Sequence, residues 1–172
     1  DTEYNHLGQV VAKSRPYFFD ATPQWELIEQ YDAIGRVTQT RAADNSVTQT
    51  QYQGLTVSVT NSEEQVNSRT NNVIGQLVQT EDAYNKTATY TYDPFGNLSS
   101  LTDTNSNVTS NTYDLRGRKT TMSDPDMGNW TYHYNALGEL IAQEDAKGQI
   151  VEMTYDVLGR MVSRVEAEGT ST

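Results

Sequence analysis

The sequence predicts an all-β protein made of tandem β-hairpin repeats that form one curved, spiralling antiparallel sheet. Three observations support this prediction. A Tyr-Asp/Asn-x-x-Gly motif recurs along the 172-residue chain, the eleven glycines fall into two turn sites per repeat, and apolar and polar residues alternate before each motif. A fixed period is typical of repeat architectures, and alternation with a period of two indicates strands.

The repeat contains 21 residues, and about eight units start near residues 4, 31, 52, 71, 92, 113, 134 and 155. The third copy, Tyr52-Gln53-Gly54, is shortened by two residues, and the fourth has Asn71 in place of tyrosine. The motif positions that we expect to define the structure are Tyr4 and Gly8; Tyr31, Asp32 and Gly35; Tyr92, Asp93 and Gly96; Tyr113, Asp114 and Gly117; Tyr134, Asn135 and Gly138; and Tyr155, Asp156 and Gly159.

A second turn is predicted seven residues after each motif glycine. Asn61, Asp82, Asp103, Asp124, Asp145 and Glu166 occupy this position, Ala42 is the exception, and the remaining glycines, Gly128, Gly148 and Gly169, lie nearby. A tight reversal often needs a positive φ, which glycine adopts freely and Asn or Asp tolerate. Two turns per repeat leave two segments of ordinary strand length, so each repeat is predicted to be one hairpin.

The residues before each motif tyrosine alternate, as in Ala88, Tyr90 and Tyr92, whose intervening positions are threonines. The strand after the glycine shows a weaker pattern. Eight hairpins give on the order of 16 strands, and open twisted sheets rarely exceed ~10 strands without curling. The sheet is therefore expected to curve.

Composition excludes several classes of function. Only 35% of residues are apolar, and the net charge is −11, which would repel a nucleic acid backbone. Cysteine is absent, and no apolar run is long enough to span a bilayer, so we expect no membrane insertion by this segment. The chain is expected to be a piece of a longer protein, because it begins inside a repeat.

Residues 15–26 interrupt the pattern, since the first spacing is 27 residues rather than 21. This insertion contains Tyr17, Phe18, Phe19 and Trp25. It is interpreted either as a longer hairpin loop whose aromatic side chains pack back on the sheet, or as a protruding loop that contacts a partner.

The unit Tyr155-Asp156-Val157-Leu158-Gly159-Arg160 and its copies resemble the YD repeat of the Rhs family. Within that family the insertion is most similar to the B and C components of Tc insecticidal toxins and to SpvB-like proteins, with teneurins more distant. The resemblance implies a segment of a hollow β-shell that encapsulates a toxin or effector domain, in a secreted or cell-surface bacterial protein. The implied partners are adjacent repeats and the cargo domain.

The shells of Rhs proteins and Tc toxin C components end in an aspartyl autoprotease. The segment Asp124-Pro125-Asp126 resembles only the first residues of the motif of that autoprotease. We interpret this segment as a turn. Motif carboxylates such as Asp32 are expected to accept backbone hydrogen bonds within turns. A residue that is needed once per repeat is rarely a catalyst, so neither a catalytic site nor an enzyme activity is predicted.

Other chemistry is weighed and not favoured. His6 and His133 are the only histidines, and no nucleophile motif accompanies them. Asp103-Thr104-Asn105-Ser106-Asn107 spaces oxygen atoms as a calcium loop begins, but it lacks the glycine and glutamate that such a loop requires. No metal site and no cofactor is predicted. The alternative function is a surface-exposed carbohydrate-binding or adhesion module, whose aromatic rings would stack on sugars.

Overall fold

The computed structural model describes residues 1–167, and these residues form sixteen β-strands. Gly169, which was expected to lie near the last turn, is outside the described residues. Nothing in the described part of the chain forms a helix long and apolar enough to cross a membrane. The strands are β1 (Thr2–Tyr4), β2 (Val10–Ser14), β3 (Trp25–Tyr31), β4 (Val37–Arg41), β5 (Val47–Gln53), β6 (Thr56–Thr60), β7 (Val66–Asn71), β8 (Leu77–Glu81), β9 (Thr87–Tyr92), β10 (Leu98–Thr102), β11 (Val108–Tyr113), β12 (Lys119–Asp124), β13 (Gly128–Tyr134), β14 (Leu140–Glu144), β15 (Ile150–Tyr155) and β16 (Met161–Ala167).

The chain divides into two compact units, Asp1–Thr87 and the part that follows from Ala88. The first unit contains β1 to β8, and the second contains β9 to β16, although β9 begins at Thr87 itself. Within each unit the strands follow the sequence order, and sequence neighbours pair antiparallel. The prediction of an all-β array of tandem hairpins is confirmed.

Each motif hairpin except the third contains a β-bulge three residues after its glycine. Thr112 pairs with Thr121 and Tyr113 pairs with Lys119, so Thr120 has no residue opposite it. A bulge bends its strand and increases the local twist. The bulged residues are Val11, Thr38, Val78, Ser99, Thr120, Ile141 and Val162.

The third hairpin has a shorter connection and no bulge. Tyr52 pairs with Val57 and Gln53 with Thr56, which leaves a loop of Gly54 and Leu55. Because strand side chains alternate with a period of two, a copy that is shorter by two residues keeps its residues on their proper faces.

Each unit is a single layer of strands, so side chains are covered only by neighbours on the same face. Among the described residues only Ala12 and Met153 are buried, with 4% and 7% of their surface exposed. The predicted alternation is present: Tyr90 and Tyr92 are half-buried, whereas Thr89 and Thr91 are exposed. Met153 lies on the same face as Tyr155, as their spacing of two requires.

Candidate functional site

The most regular feature of the molecule is the motif turn, which closes through hydrogen bonds from its second residue. In the second repeat, the Asp32 backbone N–H donates to the Arg36 carbonyl and the Gly35 N–H donates to the Asp32 carbonyl, at 2.9 and 3.0 Å. The Asp32 carboxylate accepts from the backbone N–H groups of Ile34 and Arg36, at 3.0 and 2.9 Å. Gly35 has a φ of 83°, which a residue with a Cβ rarely adopts.

The second motif residue also bonds the side chain of the residue four positions later. Asp114 pairs with Arg118 at 2.6 Å, and Asp32 and Asp156 pair with arginines in the same way. Where the second residue is asparagine, its amide donates instead to Gln or Glu: Asn5 to Gln9, Asn72 to Gln76 and Asn135 to Glu139. Asp93 accepts from the amide of Asn97. The two positions therefore form a matched donor and acceptor pair in every one of these turns.

These contacts hold the motif carboxylates in the charged form. The side-chain hydrogen bond from Arg118 lowers the pKa of Asp114, and backbone hydrogen bonds from Arg36 and Arg160 lower those of Asp32 and Asp156. The amide of Asn97 lowers the pKa of Asp93. A general acid or base needs a pKa near the working pH, and these carboxylates are shifted away from it.

The motif tyrosines connect successive strands through their hydroxyl groups. Tyr52, Tyr113 and Tyr155 donate to the carbonyls of Val37, Leu98 and Leu140, at 3.1, 2.9 and 3.0 Å, and Tyr31 donates to Val10. Each acceptor lies two residues after the preceding motif glycine. The ring faces also carry cations: the Arg36 guanidinium lies 4.0 Å from the Tyr52 ring centre, and that of Arg118 lies 4.9 Å from Tyr134.

The second turns share this geometry but not the glycine. Asn45, Glu64, Asn85 and Ser106 have positive φ at the position where the motif turn has glycine, and Gly148 occupies it in a later copy. Asp124 differs, because it ends β12 and pairs with Gly128. Glu166 was predicted from its spacing to be a turn residue. This prediction is wrong, because Glu166 lies within β16 opposite Val151.

The Asp103 loop is closed by its own hydrogen bonds. One carboxylate oxygen accepts from the backbone N–H groups of Asn105 and Asn107, both at 2.8 Å, and the other accepts from the Asn107 amide. Over residues 1–167 no three His, Asp or Glu side chains converge as metal ligands would. His6 lies in the first motif turn, and His133 lies in β13 opposite Ala142.

The structure separates the aromatic residues of the insertion. The Tyr17 hydroxyl bonds the Asp1 carboxylate, whereas Phe18 and Phe19 are exposed, with relative exposures of 84% and 105%. Trp25 belongs to β3, where it pairs with Ser14 and lines a hollow of about 290 Å³ together with Pro16 and Ala43. Sequence reasoning did not identify the bulges, the matched pairs across the turns or this hollow.

Comparison with known proteins agrees with this geometry. Residues 52–172, more than two thirds of the chain, match the family model described as Teneurin YD-shell. The chain belongs to this YD-shell family. The sequence matches no curated protein.

Solved structures of Tc toxins share the fold. The crystal structure of TcdB2-TccC3-TEV is 18% identical with a TM-score of 0.78, and the Tc holotoxin pore of Photorhabdus luminescens is 17% identical with a TM-score of 0.79. The crystal structure of TcdB2-TccC3-Cdc42 is 18% identical with a TM-score of 0.79. In all three comparisons the match covers 99% of this chain but only 10% of the other, so the chain spans about a tenth of their length.

Proposed function

We propose that this chain is a wall segment of a YD-repeat shell that encloses a toxin or effector domain, in a secreted or cell-surface bacterial protein. The observation that carries the proposal is that the motif turn satisfies the hydrogen bonds of its own polar side chains. In every turn where the pairing is seen, the polar side chain at the second position is used for hydrogen bonds that stabilise the hairpin itself. Polar side chains used in this way stabilise the wall and are not free to bind a ligand or to catalyse a reaction.

The bulges supply the curvature that a shell requires. They recur three residues after the motif glycine, with one further irregularity at Glu29 in the β3–β4 hairpin, and the hairpins closed by the second turns have none. Because a bulge adds bend and twist, a regular series of bulges gives a regular series of bends. We infer that the parent sheet spirals for this reason, with its partners being adjacent repeats and the cargo.

We propose that the segment has no catalytic activity of its own. The lowered pKa values of Asp32, Asp114 and Asp156 keep these groups ionised, and each is bonded to its neighbouring arginine. His133 lies on the polar side of β13, and its strand partner Ala142 has no polar side chain to orient it. A triad would need a nucleophile and an acid within hydrogen-bonding distance of such a histidine.

A carbohydrate-binding or adhesion module is the competing function, and the ring geometry disfavours it. Sugars would stack on open aromatic faces, but Arg36 covers Tyr52 and Arg118 lies over Tyr134. Trp130 and Tyr132 stack on each other, with ring centres 6.5 Å apart. These four rings are thus engaged within the sheet.

The exposed tip of the insertion is proposed as the contact with a neighbouring part of the parent protein. Phe18 and Phe19 have no cover in this structure, and large exposed aromatic side chains are typical of contact sites. Replacing both by serine is expected to lower the melting temperature of the parent protein and to leave that of this chain unchanged. An equal effect on both would show that the tip acts only within this segment.

The shell proposal is tested by limited proteolysis of the parent protein. The cargo domain is expected to resist protease in the intact parent and to be cleaved when it is expressed alone. Deleting the bulged residue Thr120 is expected to open the wall and expose the cargo, whereas Thr120→Ala keeps the bulge and the protection. Cleavage of the cargo at the same rate inside and outside the parent would overturn the proposal.

A further inference from the structure

The arginine that follows a motif glycine contacts the next motif turn along the sheet. The Arg118 guanidinium lies 4.9 Å from the Tyr134 ring centre, and its Nη1 atom donates to the Asn135 carbonyl at 3.1 Å. A Cβ added to Gly138 would lie 3.8 Å from the same Nη1 atom, so the arginine also borders this glycine. The tyrosine, the carbonyl and the glycine all belong to one motif turn.

The residue after that arginine takes part in the same contact. The Arg36 guanidinium lies 4.0 Å from the Tyr52 ring centre, and the carbonyl of the next residue, Val37, accepts from the Tyr52 hydroxyl at 3.1 Å. Two consecutive residues thus bind the ring and the hydroxyl of one tyrosine. A cation over the ring and an acceptor for the hydroxyl together favour tyrosine over phenylalanine, which has no hydroxyl to donate.

Arg160 and Met161 occupy the same two positions in the last repeat, but no tyrosine covers them. The Arg160 Nε atom donates to Asp156 at 2.7 Å, just as the other two arginines donate to their own aspartates. The Arg160 side chain is 73% exposed, against 43% for Arg36 and 25% for Arg118. Met161 is 51% exposed and begins β16, the last strand in the order of the sheet.

We propose that Arg160 and Met161 form a docking site for the tyrosine of a further motif turn, which another repeat of the parent protein supplies. The Arg160 guanidinium covers the ring of that tyrosine, and the Met161 carbonyl accepts from its hydroxyl. The site continues an interface that this chain already forms between its own repeats. The inference rests on the proposed function, in which adjacent repeats of the parent are partners.

The ion pair within the turn favours this partner over an anion. The Nε and Nη2 atoms of Arg160 already bond the Asp156 carboxylate, each at 2.7 Å, so little net charge is left to attract a second anion. A neutral ring that covers the guanidinium needs no such charge. An isolated aromatic side chain would supply only one of the three contacts that Arg118 makes, whereas a motif turn supplies all of them.

The site is tested by extending this chain at its end with a copy of residues 152–167, which places an added tyrosine 21 residues after Tyr155. Urea unfolding is compared for four versions of the extended chain, with Arg160 or Arg160→Ala and with the added tyrosine or leucine in its place. This set is a double-mutant cycle. The two changes are expected to be coupled by a factor of about two to five in the unfolding equilibrium constant, as for an exposed cation–π contact.

The NMR signal of the Arg160 Nε–H group gives a second readout that does not depend on stability. Its ring-current shift is expected to appear in the extended chain and to vanish when the added tyrosine is leucine. The matched control is Arg164→Ala, because Arg164 belongs to the same strand and pairs with Glu166. The control is expected to show no coupling to the added tyrosine.

The inference would be overturned by a coupling below twofold, by an Arg160 signal that ignores the added tyrosine, or by an equal coupling for Arg164. None of these measurements involves the cargo, so the two proposals fail separately. An uncoupled Arg160 in a parent whose cargo resists protease would overturn the docking site alone. A coupled Arg160 in a parent whose cargo is cleaved freely would overturn the shell alone.

Discussion

At the scale of single residues, the identity of the second motif residue is linked to that of the residue four positions later. Aspartate occurs with arginine or asparagine, which donate hydrogen bonds, and asparagine occurs with glutamine or glutamate, which accept them. Both second residues present the same oxygen to the backbone: Asn135 accepts from the Leu137 and Glu139 N–H groups, as Asp114 does from those of Arg116 and Arg118. The turn thus needs the oxygen, and the ion pair is an addition to it.

The aspartates should make the fold sensitive to acid. Their pKa values are lowered on folding, so they stabilise the protein at pH values above the ordinary Asp pKa of about 4, and this stabilisation is lost as the pH falls through the folded values. The variant Asp32→Asn/Asp114→Asn/Asp156→Asn keeps the turn oxygens and removes the titrating groups. Its urea midpoint, followed by circular dichroism, is expected to fall less than that of the wild type below pH 4. Equal falls would contradict this account.

Ser106 and Gly148 occupy the same position of two second turns, with φ values of 67° and 76°. A residue with a Cβ pays about 1–2 kcal/mol to adopt this conformation. Glycine avoids that cost, but it loses more conformational entropy on folding, which offsets part of the gain in stability. Ser106→Gly is expected to stabilise the chain by about 0.5–1 kcal/mol, and Gly148→Ser to destabilise it by a similar amount. Urea denaturation measures both, and a change of the same sign in the two variants would refute the explanation.

The sequence predicts the position of these second turns but not all of their residues. Asp and Asn markers locate the reversals because their short side chains bond the turn backbone, as Asp82 does with the Tyr84 and Lys86 N–H groups. Glu64 and Ser106 have no propensity that places them at positive φ. The closure of the surrounding turn imposes that conformation, so it becomes visible only in the structure.

At the scale of strands and hairpins, the motif tyrosine links the end of one strand to the start of the strand before it. The Tyr155 hydroxyl donates to the Leu140 carbonyl at the beginning of β14, at 3.0 Å. Tyr155→Phe is expected to cost about 1 kcal/mol of unfolding free energy, the usual value for one such hydrogen bond. Tyr134→Phe is the matched control, because the Tyr134 ring interacts with the Arg118 guanidinium instead, and phenylalanine keeps the ring. Equal losses in the two variants would disprove the role of the hydroxyl.

The bulge explains why the sequence pattern is clear before the motif and weak after it. Leu98 pairs with Tyr92 and Leu101 pairs with Tyr90, so these two leucines share a face although they are three residues apart. A search for a period of two misses such positions. The hairpins were therefore predictable from turns and tyrosines, whereas their exact register was not.

Deletion of Thr120 is expected to damage the sheet far more than a substitution there. Met122 shares a face with Asn111 and Trp130, its pairing partners on either side, and a shift of one residue would move it to the opposite face. We expect a loss on the order of 3 kcal/mol or more in unfolding free energy, against less than about 1 kcal/mol for Thr120→Ala. Denaturant unfolding compares the two, and a deletion that is tolerated like the alanine variant would show that the bulge has no structural role.

At the scale of the whole molecule, the repeat made the architecture predictable. Features in which the copies differ or which depend on the position of a turn could not be predicted from it. The boundary between Thr87 and Ala88 has no counterpart in the spacing, since Gly75 and Gly96 are separated by the ordinary 21 residues. The exposure of the apolar residue before a motif glycine, such as Leu137, was also hidden, because it is seen only once the turn is placed at an edge of the sheet. A periodic sequence predicts what the repeats share and says less about how they differ.

A single-layer array should unfold with an unusually small heat capacity change. Unfolding raises the heat capacity in proportion to the apolar surface that it exposes, and globular proteins give about 12–15 cal/mol/K per residue. Only Ala12 and Met153 are buried among the described residues, while many large apolar side chains are already in water, so this chain has less to expose. Differential scanning calorimetry at low protein concentration, over a series of pH values, gives the heat capacity change from the dependence of enthalpy on melting temperature. A value within the globular range would mean that apolar surface is covered in solution in a way that a single layer does not provide.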